Sequence, residues 1–429
     1  MFVSFKEDFL HYIWKFQKYE LSDLQTEQGK KITIIHPGYH NEDAGPDFLN
    51  ARIKIDRNLW AGSIEIHKHS SEWKQHKHHL DPAYDNVILH VVYEDDKPVS
   101  YRNSRPIPTL VLDKRIKMDK INQYQNLVFN SNWIPCAAKI KNVDPIVKSF
   151  WLTRMATERL EEKTKRIIPN LDILKNDWDR LAYHLIAQYF GMKVNNSAFK
   201  RLIESIPFEL ILKYKDHLET LEALLLGHAS LLQLGNDDYT NRLQREYDFL
   251  AKKHHLYRML SHEWKFSRMR PNNFPGLRLA QLAELIHREG RIFRKILQAT
   301  DLKDLRSLFS ATASSYWDQH YRVGKMSKRN KKQIGTKTLD ILIINVAIPL
   351  IFTYGMKTAD QHYKEKSLTL LEMIPKEQNK IIKQWERSNI KAKNAAESQA
   401  LLFLKRNYCD EYKCLSCAIG NKIMSGLSD

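Results

Sequence analysis

An α/β domain followed by a larger, all-α domain is the architecture that this 429-residue sequence predicts. Three observations point there. Strand-like runs with period-two alternation crowd into the first hundred or so residues, bracketed by amphipathic helical stretches. From Asp144 onward apolar residues recur at helical spacing and little alternation remains. Charge divides in the same way: residues 1–140 carry 19 Lys and Arg against 18 Asp and Glu, whereas 141–429 carry 49 against 32, so nearly all of the net +18 lies in the second part. The division expected is 1–140 for the α/β domain, 141–405 for a basic helical domain and 406–429 for a cysteine-containing end.

The opening stretch repeats Phe2, Phe5, Phe9, Ile13 and Phe16, which predicts a helix over 2–18 with one face on a sheet. A first strand follows over 31–35. His36, His40, Asn41, Glu42 and Asp43 form a polar loop whose turns are set by Gly38, Gly45 and Pro46. Over 47–55, Asp47, Leu49, Ala51, Ile53 and Ile55 alternate with Phe48, Asn50, Arg52 and Lys54, giving an inward and an outward side. A three-residue turn at Asp56, Arg57 and Asn58 leads into a strand over 59–67 that continues the inward set with Leu59, Ala61 and Ser63. In that register Ile55 faces Leu59 and Asp47 faces His67, so Asp47, Glu65 and His67 share one face at one end of a hairpin. A helix over 71–79 comes next, then a strand over 87–93 that is apolar apart from His90 and therefore covered on both faces. A short strand over 106–112 and a basic helix over 114–128 complete the domain.

Two carboxylates beside an imidazole are metal chemistry. Asp47 and Glu65 are hard oxygen ligands suited to Mg²⁺ or Mn²⁺, with His67 as a further ligand or general base. His69, His76, His78 and His79, taken singly, read as solvated helix residues.

The order Pro46-Asp47, then Glu65-Ile66-His67, then a helix and a buried strand resembles the PD-(D/E)XK nuclease superfamily. Its core runs helix, three strands, helix, strand. The resemblance implies metal-dependent hydrolysis of phosphodiester bonds in DNA or RNA, with Asp47, Glu65 and His67 at the catalytic positions and either Glu7 or Glu20 as a first-helix acid. The superfamily pattern has lysine where this chain has His67. A neutral histidine can act as a base, while Lys68 lies on the opposite face. The same departure suits an alternative, a catalytically degenerate nucleic-acid-binding or interaction protein on a nuclease-like core. A weaker third reading is a structural subunit that uses its helices for protein contacts. HPGYHN, DAGPDF, WAGSIEIH and VILHVV also resemble, over nearly the whole chain, a bacterial family of unknown function.

The helical part lacks both the GxxxxGK[ST] and GxGxxG phosphate loops, which disfavours ATPase or dinucleotide chemistry. Leu181 to Phe190 followed by Gly191 describe a helix with a glycine stop. Basic residues gather at Arg268, Arg270 and Arg278, where Asn272 or Asn273 would cap a helix, and at Lys325, Lys328, Arg329, Lys331 and Lys332 beside Trp317, His320 and Tyr321. Positive charge interleaved with aromatics is the composition of a nucleic-acid surface. The apolar run Ile341 to Tyr354, interrupted by Asn345 and Pro349, is short for a bilayer and reads as a buried helix with a kink at Pro349. Cys409, Cys414 and Cys417 lie within nine residues, and Cys136 is the only other cysteine. Four thiolates would hold Zn²⁺ or an iron-sulfur cluster, stapling the chain end to the first domain. Iron-sulfur nucleases of the resembled superfamily also set one cysteine far from three others. Four cysteines without an apolar leader point to a reducing cytoplasm, with no membrane partner expected.

Overall fold

A computed structural model of the chain describes residues 5–41 and 43–426. Two compact units emerge. One comprises residues 1–151, 388–390 and 404–429, the other 152–387 and 391–403. The cysteine-containing end therefore folds with the first unit.

The first unit is built on a mixed sheet. Helix α1 (Glu7–Lys15) buries Phe9, Leu10 and Ile13, with Phe5 buried just ahead of it and Phe16 exposed beyond its end; Phe2 lies outside the described residues. Strands β1 (Ile32–His36), β2 (Tyr39–His40), β3 (Phe48–Ile55), β4 (Asn58–His69), β5 (Val87–Glu94) and β6 (Thr109–Val111) follow. The sheet order is β1-β3-β4-β5-β6, with β2 pairing β3; β1, β2 and β4 run antiparallel to β3, and β5 runs parallel to both β4 and β6.

The hairpin differs from expectation in two places that compensate. Its turn holds two residues, so Ile55 pairs with Asn58, and Asp56 takes a left-handed φ of +51°. That one-residue slip turns Leu59 and Ala61 outward, and Leu59 is 68% exposed. A bulge between Phe48 and Ala51, with Asn50 at φ +57°, then slips the register once more, so that Phe48 pairs with Ile64. Phe48 becomes fully buried and Leu49 faces out. Two slips of one residue restore the parity of the faces, and Asp47 returns to the side of Glu65 and His67.

Beyond the sheet's centre, the expected helix over 71–79 is only α2 (Glu72–Gln75), followed by 3₁₀ turns at His78–Leu80 and Pro82–Tyr84. The basic helix is α3 (Met118–Val128), and a 3₁₀ turn occupies Asp113–Arg115 ahead of it.

The second unit is helical apart from a two-stranded ribbon, His320–Arg322 with Lys325–Met326. Helix Trp178–Phe190 ends at Gly191, but Gly191 keeps a right-handed φ of −65°. Glycine is required there for space, because a Cβ would lie 2.5 Å from the Asn195 carbonyl oxygen. The apolar run is part of a continuous helix, Thr336–Lys357, which is long and apolar enough by itself to cross a membrane, yet 72% of its apolar window is buried inside the protein. In place of a simple proline kink, a π turn at Ile343–Ala347 precedes Pro349.

Lys163 serves that turn, donating to the Ile344 carbonyl oxygen at 3.2 Å and to Asn345 Oδ1 at 3.0 Å. Burial, then the Arg159 charge, pushes its pKa down to about 7, with Arg166 acting in the same sense and Glu377 and Glu162 against it. Between about 7 and the ordinary 10.5 the folded state binds fewer protons than the unfolded one, so this lysine's contribution to stability rises with pH across that window. Wild type is therefore expected to gain stability relative to Lys163→Met as pH rises from 7 toward 10. Urea midpoints of the two proteins that stay parallel over this range would contradict it.

Candidate active site and cysteine cluster

The loop before β3 sets Asp47. Gly38, at φ +95°, lets the chain pass close to Phe48, where a Cβ would come within 3.0 Å of the Phe48 Cβ. Asn41 closes the loop: its amide donates to the Asp47 carbonyl at 2.7 Å and its side-chain amide to the Pro46 carbonyl at 3.1 Å. Glu42 lies outside the described residues.

Asp47 and Glu65 clasp one another's backbone. The Ile66 amide donates to Asp47 Oδ2 at 2.9 Å, and the Asp47 amide donates to Glu65 Oε2 at 3.2 Å. From α1, His11 Nε2 stands 3.4 Å from Asp47 Oδ2 and 3.7 Å from Glu7 Oε1, although its approach is not aligned for a hydrogen bond. Of the two candidate first-helix acids the structure brings Glu7 here, whereas Glu20 is exposed and bonds Ser22. Ligand atoms of Glu7, His11 and Asp47 lie within 4.8 Å of one another.

His67 belongs to the other flank of Glu65. Its Nε2 is 3.6 Å from Glu65 Oε1 and 3.2 Å from His76 Nδ1, while its Nδ1 is 2.8 Å from His90 Nε2. His78 Nε2 also faces Glu65 Oε1, at 3.2 Å. The expected trio is thus brought together but shared out: Asp47 sits with Glu7 and His11, His67 with His76 and His78, and Glu65 between them. His76 is exposed, as expected, and His78 is half-buried, but neither lies within the helix: the chain leaves it after Gln75 and turns both rings back toward β4.

Burial governs the electrostatics. It raises the Glu7 pKa to about 7, and it lifts Glu65 well above the ordinary carboxylate range with help from the Asp47 charge. Burial, then His90 and His78, drives His67 down to about 2, and burial drives His90 to about 3. At His11 burial alone would lower the pKa, but the Asp47 and Glu7 carboxylates outweigh it and raise it. Glu7 and Glu65 thus resist losing a proton while His67, His78 and His90 resist gaining one, an arrangement concentrated at functional sites.

Sequence reasoning left His11, His76, His78 and His90 unassigned. Two signals were present: the i,i+4 pair Glu7 and His11 on one helix face, and a lone histidine inside an apolar strand.

The four cysteines form a second cluster within the first unit, and all are free thiols. Cys409 closes a π turn, Cys414 opens a 3₁₀ turn, and Cys417 precedes helix Ala418–Ser425. Cys136 joins them from the segment after α3. Burial raises all four thiols, Cys136 to about 12 and Cys417 to about 11, and neighbouring thiols add to the rise at Cys136, Cys409 and Cys414.

Among the basic candidates, Lys325, Lys328, Arg329, Lys331, Arg268 and Arg270 are exposed. Arg278 and Lys332 are buried at 3% exposure each. Trp317 is a core residue whose indole donates to the Tyr239 hydroxyl, and it is unavailable for base stacking. Asn273 caps no helix; its Oδ1 accepts from Arg278, whose other partners, Gln281 and Thr338, are also neutral. Arg270, Arg278 and Lys332 line a cavity of about 160 Å³ near the start of helix Pro275–Glu289.

Fold and site together define a mixed-sheet unit bearing a carboxylate–imidazole cluster, in one chain with a helix-rich unit. The chain belongs to the family described as "Protein of unknown function (DUF2851)", whose model matches residues 7–380, a span that includes Cys136 and ends before Cys409, Cys414 and Cys417. No curated protein and no solved structure matches it.

Proposed function

We propose that the chain is a divalent-metal-dependent nuclease on a PD-(D/E)XK-like core, hydrolysing phosphodiester bonds of DNA or RNA. The observation that carries this reading is the clasp of Asp47 and Glu65, two carboxylates from adjacent strands, with Glu7 arriving from α1. Supporting it, α1, β1, β3, β4, α2 and β5 follow the order helix, three strands, helix, strand, with the last strand parallel to its neighbour.

Hard oxygens of Asp47, Glu65 and Glu7 would hold Mg²⁺ or Mn²⁺ beside His11, whose sealed Nε2 has no aligned hydrogen-bond partner. Such an ion supplies Lewis-acid activation of water and neutralises phosphate charge. His11, 19% exposed, is better placed to accept a proton than His67, which is 1% exposed. The exposed basic residues of the helical unit would contact the phosphate backbone. The buried guanidinium of Arg278, surrounded by neutral partners, makes the cavity beside it suited to an anion. At the cysteines, four free thiols near enough to raise one another's pKa suit Zn²⁺ or an iron-sulfur cluster and a reducing cytoplasm.

A second reading, a degenerate core that binds nucleic acid without cutting, is favoured by the sealed position of His67 where the resembled pattern has lysine.

Labelled DNA and RNA decide between them. With Mn²⁺ or Mg²⁺ wild type is expected to cleave, and Asp47→Asn to do so about 100-fold more slowly or worse. Binding that falls steeply with salt, without cleavage, supports the degenerate core. Neither cleavage nor salt-sensitive binding overturns both.

A further inference from the structure

We infer that His67, His76 and His78, with Glu65 as fourth ligand, form a binding site for a divalent transition ion, distinct from the oxygen-rich site at Asp47. This goes beyond the nuclease reading and stands whether or not the chain cuts a phosphodiester.

Spacing comes first. One ring nitrogen from each histidine lies within 4.8 Å of the other two. The closest approaches are 3.2 Å between His67 Nε2 and His76 Nδ1, 3.2 Å between His78 Nε2 and Glu65 Oε1, and 3.6 Å between His67 Nε2 and Glu65 Oε1. Bonds of about 2.0–2.1 Å to a tetrahedral ion require neighbouring ligand atoms about 3.3 Å apart. Three of the six edges of such a tetrahedron are close to that length, and the remaining two between imidazoles lie within 4.8 Å.

Next is the state of the donors. His78 Nε2 is sealed from solvent and has no hydrogen-bond partner despite its nearness to Glu65. His90 Nε2, 2.8 Å from His67 Nδ1, takes the position of an outer partner that fixes a ligating ring; with the shared proton on His67 Nδ1, the Nε2 lone pair is left for the ion. Tyr84 stacks on His78 at 3.8 Å between ring centres, and buried Trp73 lies edge-on to it at 5.4 Å.

The backbone supplies an independent sign. Lys77, between His76 and His78, holds a left-handed φ of +65°. A non-glycine residue in that region is strained and persists where the surroundings impose it. Here it accompanies the turn that brings both neighbouring imidazoles to His67. Three nitrogens and one oxygen suit Zn²⁺, Co²⁺, Fe²⁺ or Mn²⁺ and disfavour Mg²⁺, which prefers an all-oxygen octahedron. Because Glu65 offers Oε1 to the imidazoles while Oε2 faces Asp47, one carboxylate serves both flanks.

Cobalt titration of the metal-stripped full chain tests the proposal. Wild type is expected to develop visible d–d bands that persist without the near-ultraviolet sulfur charge transfer marking cobalt at the cysteines. His76→Ala, a change at an exposed position that folding should tolerate, and His78→Ala should each weaken this component at least tenfold. His69→Ala, a neighbour paired with Glu94 at 3.6 Å and outside the cluster, should leave it unchanged. Metal analysis of protein as purified identifies the resident ion. Absence of the imidazole-type bands, or equal binding by His76→Ala and wild type with both folded by circular dichroism, overturns the proposal. Asp47→Asn should keep the cobalt bands, so failure of the nuclease reading and failure of this one are distinguishable.

Discussion

Glu65→Gln is expected to lower metal-dependent cleavage by about 100-fold or more while leaving the fold intact. Glutamine matches the shape of the side chain and keeps an oxygen to accept the Asp47 amide, the 3.2 Å bond that ties the start of β3 to β4. It has no charge with which to hold a cation on either flank. Near-ultraviolet circular dichroism and a urea midpoint close to wild type, together with lost cleavage at saturating Mn²⁺ and a weakened cobalt signal, are the predicted set. A glutamine variant that cleaves and binds cobalt as wild type does would remove Glu65 from the metal chemistry. Since Glu65 is 4% exposed, truncation to alanine would mix lost function with a cavity, which is why the isosteric change is the informative one.

Gly420→Ala is expected to destabilise the cysteine-containing end by about 3 kcal/mol or more. A Cβ there would lie 2.0 Å from the Cys414 carbonyl oxygen, and its obstacle is backbone, which cannot rotate aside. Helix Ala418–Ser425 would have to move away from Cys414, and with it Cys417 at its start. The wild-type thiols, buried and raised in pKa, should react slowly with a thiol reagent, and those of the variant several-fold faster. Unchanged thiol reactivity and an unchanged melting curve would show that this helix can shift without cost.

Both changes act on features of different legibility. Glycine 420 gave no signal in the sequence, because its role is a close approach between segments six residues apart in a non-repeating turn. Asp47 and Glu65, by contrast, were legible as a pair, since strand alternation reports faces directly. Even there the route differed: the turn is one residue shorter than the count assumed, and the bulge at Asn50 adds the compensating slip. Leu49, Leu59 and Ala61, assigned inward, face out, and Phe48, assigned outward, is buried; all four lie between the two irregularities or beside one. Arg278 and Lys332 were read as surface cations because a charge carries no mark of burial; only the neutral partners around Arg278 reveal an interior guanidinium.

By itself the sequence determined a mixed-sheet amino-terminal part ahead of a helix-rich part, a hairpin bringing two acids to one end, and membership of a family recognisable from its motifs. Those are consequences of local period and of residue type. Tertiary structure alone decided that His11 reaches Asp47, that His76 and His90 meet His67, that His78 faces Glu65, and that Cys136 meets the carboxyl-terminal thiols. The physical reason is range: periodicity reports which way a side chain points from its own element, whereas the meeting of a helix, a strained turn and a parallel strand depends on the path of the chain between them.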